Sequence, residues 1–193
     1  MMSEQGVQNA EPAKSRTTEG HQLVDEGRAL YRQGDLGQAQ ACLQQAYQVY
    51  QDQGNMNGLA ETANDLGVLF TVLRHFSEAE SWLRQAHRLF VEMEDYDGEA
   101  QTLGNLGSMY QAQGDLKEAA AHLQQAAARF HLVGDDERRA DTLRALSIVR
   151  LRQFRFLQAV AAYDTALACK PNPTALQRLL RRILSLPQRL LQH

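Results

Sequence analysis

A pattern of small and large residues recurs every forty positions along this chain of 193 residues. It is most regular in residues 100–134, where it predicts two amphipathic helices joined at Gly114-Asp115. Each copy has a glycine or serine, then two alanines, then a large side chain. The aligned positions are Gly27, Gly67, Gly107 and Ser147; Ala39, Ala79, Ala119 and Ala159; Ala46, Ala86, Ala126 and Ala166; and Tyr50, Phe90, Phe130 and Lys170. A fixed period of this length predicts helical hairpins stacked one on the next, with the core between neighbours.

Glycine followed by Asp or Asn marks most of the predicted helix ends, as at Gly34-Asp35 and Gly54-Asn55. Glycine takes the left-handed conformation that ends a helix, and Asp or Asn caps the helix that follows. The turn at residues 74–77 has no glycine, and we expect Ser77 to cap the next helix there. The predicted helices cover residues 20–33, 36–53, 56–73, 77–94, 96–113, 116–133, 136–152 and 155–169.

The recurring glycine is expected where the two helices of a hairpin cross, because only a small residue lets two backbones approach closely. Glycine inside a helix costs about 0.5–1 kcal/mol relative to alanine. Since this cost recurs in register, packing must offset it. We therefore expect Gly107 to face the second helix at Ala119, with leucines filling the space on either side. A large side chain in place of Gly107 should disrupt the hairpin.

The motif also resembles a known family, the tetratricopeptide repeat. The resemblance rests on Leu106-Gly107, Tyr110, Gly114-Asp115, Ala119, Ala126 and Phe130, and it covers about residues 20–173. The period of 40 is similar to the longer-helix variety found in the Pins/LGN polarity adaptors, in rapsyn and in many bacterial regulators. The resemblance implies an all-α, right-handed solenoid of about four hairpins, with repeats at about 20–54, 55–94, 95–134 and 135–173. It also implies a non-catalytic module that binds a protein or peptide in a concave groove.

The N-terminal and cysteine patterns predict a cytoplasmic protein. Residues 1–19 are polar and lack the apolar segment of a secretory signal, so we expect a disordered leader. No run approaches the roughly 18 apolar residues of a membrane span. Cys42 and Cys169 form no CxxC pair and are expected to be reduced thiols.

Charge is distributed unevenly along the chain. Residues 1–134 carry 18 acidic and 9 basic side chains, a balance of −9, whereas residues 135–193 carry 5 and 11, a balance of +6. A basic end suits an acidic partner, an anionic membrane surface or the acidic half of a second copy. The alternative is an ordinary variation among solvated helix faces.

No pattern of catalytic or ligand-binding residues is visible. The six histidines are scattered without metal-ligand spacing, and the sequence GNLG at 104–107 lies within a predicted helix, without the strand, turn and lysine of a phosphate loop. We therefore predict no catalytic, cofactor or metal site. The basic end lacks interleaved aromatic residues and any known nucleic-acid motif, so we predict no nucleic-acid partner.

The first helices of the repeats supply a candidate binding wall. The family geometry places on the concave face the residues three before and one or four after each crossing glycine. This set consists of Val24, Gly104 and Leu151 together with the partner-binding residues named below, except Arg152, which lies beside the set. The amide side chains would form hydrogen bonds with a peptide backbone, and the arginines would bind a carboxylate. The alternative to ligand binding is a wall that is unoccupied and solvated. The predicted partner-binding residues are Arg28, Tyr31, Asn64, Val68, Thr71, Ser108, Gln111, Arg144, Ile148 and Arg152.

The C-terminal residues 174–193 form a second candidate. Apolar residues at helical spacing, Leu176, Leu179, Leu180, Ile183 and Leu184, alternate with Arg178, Arg181 and Arg182. We expect an amphipathic helix that covers the open end of the fourth repeat. The alternative is a tail that binds an anionic membrane or a partner helix, in a protein peripheral to the membrane.

Overall fold

A computed structural model describes residues 10–169, with side chains from residue 18 onward. This part of the chain is all-α, without a strand, and none of its helices is long and apolar enough to cross a bilayer. The helices are α1 (Ala10–Gln33), α2 (Leu36–Gln53), α3 (Met56–Val72), α4 (Phe76–Glu92), α5 (Tyr96–Gln113), α6 (Leu116–Leu132), α7 (Asp136–Arg152) and α8 (Phe156–Ala168). They pair as the four hairpins α1–α2, α3–α4, α5–α6 and α7–α8. All predicted helix ends except the first are confirmed to within two residues.

The start of α1 corrects the prediction of a disordered leader over residues 1–19. The helix begins at Ala10, ten residues before the expected start at Gly20. Pro12 lies in the first turn, where its missing N–H would have had no partner in any case. Gly20 is a packing position: a Cβ there would stand 2.7 Å from Cε1 of the Tyr50 ring. Residues 1–9, the rest of the predicted leader, lie outside the described residues.

The predicted Gly-Asp and Gly-Asn turns are confirmed. Gly34, Gly54, Gly114 and Gly134 all have positive φ, between 63° and 98°. The residue after each glycine caps the next helix, as where Asp115 Oδ1 accepts hydrogen bonds of 3.1 Å from two backbone N–H groups of α6. In the glycine-free turn, Arg74 takes the left-handed conformation at φ 61°. His75 precedes α4 without a side-chain cap and Ser77 lies inside that helix, so the predicted Ser77 cap is wrong.

The helices divide into two compact units, with the boundary between Asp95 and Tyr96. The first unit contains α1–α4, and a cluster of Ala60, Ala63, Ala86 and Phe90 packs there against Trp82. The second contains α5–α8, with a core cluster of Ala100, Leu103, Ala126 and Phe130. These buried residues include the alanine and aromatic positions of the forty-residue pattern.

The crossing glycines meet leucines of the second helix most closely, and Gly27 also meets the expected alanine, since a Cβ placed on it would lie 3.4 Å from the Ala39 carbonyl oxygen. A Cβ on Gly107 would lie 2.6 Å from Leu123 Cγ, and one on Gly67 would lie 2.5 Å from Leu83 Cγ. Real carbon atoms do not approach one another so closely. The two helices of each hairpin can therefore pack at this distance only because the crossing residue has no side chain. In the last hairpin, Ser147 Oγ donates a 2.8 Å hydrogen bond to the carbonyl oxygen of Ala159.

Candidate partner-binding site

In the first unit, the predicted wall residue Arg28 is engaged by carboxylates of α3. Its Nε donates a 2.7 Å hydrogen bond to Asp65 Oδ2, and its Nη2 lies 3.7 Å from Glu61 Oε2. Burial raises the pKa of Asp65, and the Arg28 charge opposes that rise. Arg28 thus joins the first helices of two hairpins, and because its side chain is 42% exposed, a ligand carboxylate would share the guanidinium with Asp65 and Glu61.

The other predicted wall residues of this unit are not equally accessible. Asn64 is 4% exposed, which corrects its prediction as an amide open to a peptide backbone. It lies one turn before Gly67, close to the face along which α3 packs. Thr71 Oγ1 donates a 2.8 Å hydrogen bond to the Gly67 carbonyl oxygen, while Val68 and Tyr31 are half-buried.

In the second unit, a shallow open pocket of about 250 Å³ lies between α5 and α7. Two of the predicted wall residues, Gly104 and Ser108, line it. Side chains of α6, Leu123 and Phe130, also contribute to the lining. The full lining is Gln101, Gly104, Asn105, Ser108, Leu123, Phe130, Arg138, Asp141, Thr142 and Ala145.

Arg138 fixes one end of this pocket. Its Nη1 donates a 3.0 Å hydrogen bond to Asp97 Oδ2 on α5, and its Nη2 donates to the other oxygen of that carboxylate. Its Nε donates to Asp135 Oδ2 at 2.5 Å, and its guanidinium stands 4.9 Å above the Phe130 ring. The bond to Asp97 raises the pKa of Arg138, and backbone and side-chain hydrogen bonds from Arg138 lower the pKa of Asp135. This guanidinium therefore ties α5 to α7.

The remaining predicted wall residues of this unit surround or extend the pocket. Arg144 forms an ion pair with Asp141, one turn earlier on α7. Ser108 Oγ donates to the Gly104 carbonyl oxygen at 3.0 Å, and its oxygen can still accept a bond. Gln111 is half-buried, and Arg152 is exposed. Ile148 is 54% exposed.

Several pocket residues were not predicted, although the repeat register holds a signal for them. Gln101 and Asp141 lie forty residues apart, as do Asn105 and Ala145, so each pair occupies the same place on α5 and α7. Adding the positions one helical turn before the predicted wall residues of α5 and α7 would have identified all four. Arg138 required the structure, because its partner Asp97 lies on another hairpin.

The candidate tail lies outside the described residues. This applies to Arg178, Leu179, Arg181, Arg182 and Ile183, and to the predicted C-terminal helix that contains them. Within residues 10–169, no group of three or more His, Cys, Asp or Glu side chains is placed to hold a metal ion.

Comparisons with known proteins agree with this architecture. A family model described as Tetratricopeptide repeat matches residues 23–90 and 98–172. The crystal structure of BtubC from P. vanneervenii is similar over 80% of this chain and 67% of its own, with 22% identity and a TM-score of 0.72. Pseudomonas aeruginosa PilF is similar over 91% of this chain and 72% of its own, with 20% identity and a TM-score of 0.66.

No curated protein matches the sequence significantly. The particular likeness to the Pins/LGN adaptors and rapsyn stays a prediction. The predicted all-α helical-repeat class is confirmed, and the chain belongs to the tetratricopeptide repeat family.

Proposed function

We propose that this protein is a scaffold that binds a peptide segment of a partner protein in the pocket between α5 and α7. Tetratricopeptide repeats are in general protein–protein interaction modules without catalytic activity. The observation that carries the proposal is the pocket itself, which opens between the first helices of two consecutive hairpins and is lined by Gly104 and Ser108.

The size of the pocket favours a peptide side chain as its occupant. Its volume of about 250 Å³ lies below the roughly 300–1,000 Å³ of typical small-molecule sites. Gly104, Ser108 and Ala145 present small side chains, so a peptide backbone can come close to both helices. Leu123 and Phe130 are almost fully buried and form the apolar floor of the pocket.

The polar lining favours an extended backbone over a charged terminus. Gln101 is exposed at the pocket and carries an amide that can both donate to and accept from a peptide bond. The charged groups at the pocket are already paired, Arg138 with Asp97 and Asp141 with Arg144. We therefore expect an internal segment with one aliphatic side chain, held by amide and hydroxyl groups.

Photo-crosslinking tests this proposal. Benzoylphenylalanine replaces exposed Ser108 in the pocket or, as a matched control, exposed Ala121 on α6 of the same unit. We expect partner adducts in native lysate from position 108 and none from position 121. Adding Ala145→Leu, which fills the pocket, should abolish the adducts at unchanged thermal stability. The same adducts from both positions, or adducts that survive Ala145→Leu, would place binding elsewhere.

A further inference from the structure

Large apolar side chains are exposed around the turn between α7 and α8. Phe154 is 80% exposed, Leu157 is 68%, Phe156 is 57% and Leu151 is 52%. The rings of Phe154 and Phe156 meet edge to face, 6.3 Å between centroids. Ile148, one helical turn before Leu151, extends this surface along α7. We call these five residues the turn patch; none of them lines the pocket between α5 and α7.

Phe154 is exceptional among the turns of the described chain. It has φ 60°, in the left-handed region where a bulky side chain is strained. The equivalent residues of the other three hairpins, at forty-residue spacing, are Gly34, Arg74 and Gly114, and each is glycine or charged. A phenylalanine here adds backbone strain and leaves its ring 80% exposed, with only the edge-to-face contact to Phe156 in return, so hairpin stability does not explain it.

The charged residues of the segment that carries the turn patch are all basic. Between Thr142 and Tyr163 the sequence contains four arginines and no acidic residue. Arg150 is held by Gln153 and Gln124, at 3.1 and 3.3 Å, and its pKa is lowered by burial and by the charge of Arg155. Arg152 and Arg155 are exposed, and neither forms an ion pair within the described residues. Two exposed arginines without an ion pair among residues 18–169 therefore flank the apolar side chains of the turn.

We propose that the turn patch docks an acidic amphipathic segment of a partner protein, whose apolar side chains pack on Phe154, Phe156 and Leu157 while its carboxylates meet Arg152 and Arg155. Charge complementarity selects the acidic partner, and the exposed apolar side chains supply the desolvated contact that such docking needs. Ile148 and Leu151, exposed one helical turn apart on α7, offer further apolar side chains to a segment that extends from the turn along this helix.

Two other occupants are less consistent with this surface. A second copy docking its acidic half here would make a head-to-tail contact, which repeats from copy to copy into a ring or an open filament and cannot stop at a symmetric pair. An anionic membrane would engage the tip of the turn at Phe154, whereas the exposed residues also run back along α7. Both remain measurable outcomes.

The test is a peptide selection on the full-length protein. Random peptides of about 16 residues are displayed on phage, depleted on a Phe154→Gly variant and selected on wild type. Enriched peptides are synthesised, and their dissociation constants are measured by fluorescence anisotropy. The matched control is Arg74→Gly, which introduces the same glycine at the same turn position in another hairpin.

We expect enriched peptides to combine Asp or Glu with Leu or Phe and to bind more weakly as salt rises. Phe154→Gly, and separately Arg152→Glu with Arg155→Glu, should weaken binding about tenfold or more, which is about 1.4 kcal/mol or more. Arg74→Gly should leave it unchanged. Because glycine accepts positive φ freely, Phe154→Gly should keep or raise the melting temperature, so lost binding would not reflect unfolding.

Four outcomes would overturn the proposal. The first is no enrichment, and the second is enrichment of peptides without acidic residues. The third is Phe154-dependent sedimentation with phosphatidylserine vesicles in the absence of peptide binding, which would identify a membrane surface. The fourth is a molar mass that rises with concentration in wild type and not in Phe154→Gly, which would identify a second copy as the occupant.

Discussion

Replacing Gly107 with alanine should destabilise the second unit, although alanine is the better helix former. The added Cβ would stand 2.6 Å from Leu123 Cγ and 3.2 Å from the Leu123 backbone nitrogen. The second contact involves main chain, so a change of the leucine rotamer cannot relieve it and α6 must shift. Overpacking of this kind costs about 1–3 kcal/mol, and the helix-propensity gain returns about 0.5–1 kcal/mol. We expect a net loss of about 1 kcal/mol, and of at most about 2.5 kcal/mol, in the free energy of unfolding.

Gly104 provides the matched control, because it lies on the same helix three residues earlier. A Cβ there would meet only Ala126 Cβ, at 4.0 Å, an ordinary van der Waals contact. Gly104→Ala should therefore stabilise the protein by about 0.5–1 kcal/mol. Urea unfolding followed by circular dichroism measures both variants, and the expected effects have opposite signs. Equal stabilisation by both substitutions would refute the role assigned to the Gly107 crossing.

Three further predictions concern the ion pairs. Arg138→Lys should lower the free energy of unfolding by about 1 kcal/mol in the same urea assay, because lysine cannot bridge Asp97 and Asp135 together; an unchanged value would show that the bridge is not stabilising. The folded-state pKa of Asp135 is lowered, so its ionised form contributes stability above about pH 4 that is lost as pH falls through the folded pKa. Asp135→Asn keeps an uncharged cap, so the difference in the free energy of unfolding between wild type and this variant should shrink as the pH falls from about 6 to about 2.5. A difference that stays constant over this pH range would contradict the assignment. A double-mutant cycle on Arg28→Ala and Asp65→Ala should give a coupling of about 0.5–1.5 kcal/mol, and additive effects would show that the pair is not coupled.

Much of the fold follows from local chemistry that can be read in the sequence. The helix ends at Gly34 and Gly114 were predictable because a left-handed glycine and a following Asp cap are short-range signals. Phe154 was not predictable in the same way. A bulky residue such as phenylalanine rarely takes positive φ by local preference, so the conformation at Phe154 is attributed to the packing of α7 on α8, which is a tertiary effect.

The candidate site was predicted less completely than the helices. Gly104 and Ser108 were expected on the wall because they are placed by their distance from Gly107. The burial of Asn64 depends on how closely the neighbouring helices pack, and the repeat pattern does not give the distance between them. The bridge made by Arg138 could not be predicted from the sequence either, because it joins residues of two consecutive hairpins.

The Arg138 bridge also affects how a ligand would bind and leave. Since the guanidinium is held by Asp97 and Asp135 and lies over Phe130, the separation of α5 and α7 at this point is set before any ligand arrives. A preformed pocket avoids the loss of conformational entropy that accompanies closure of a mobile site. Differences in affinity among ligands of this pocket should therefore be expressed mainly as differences in dissociation rate, with association rates nearly constant.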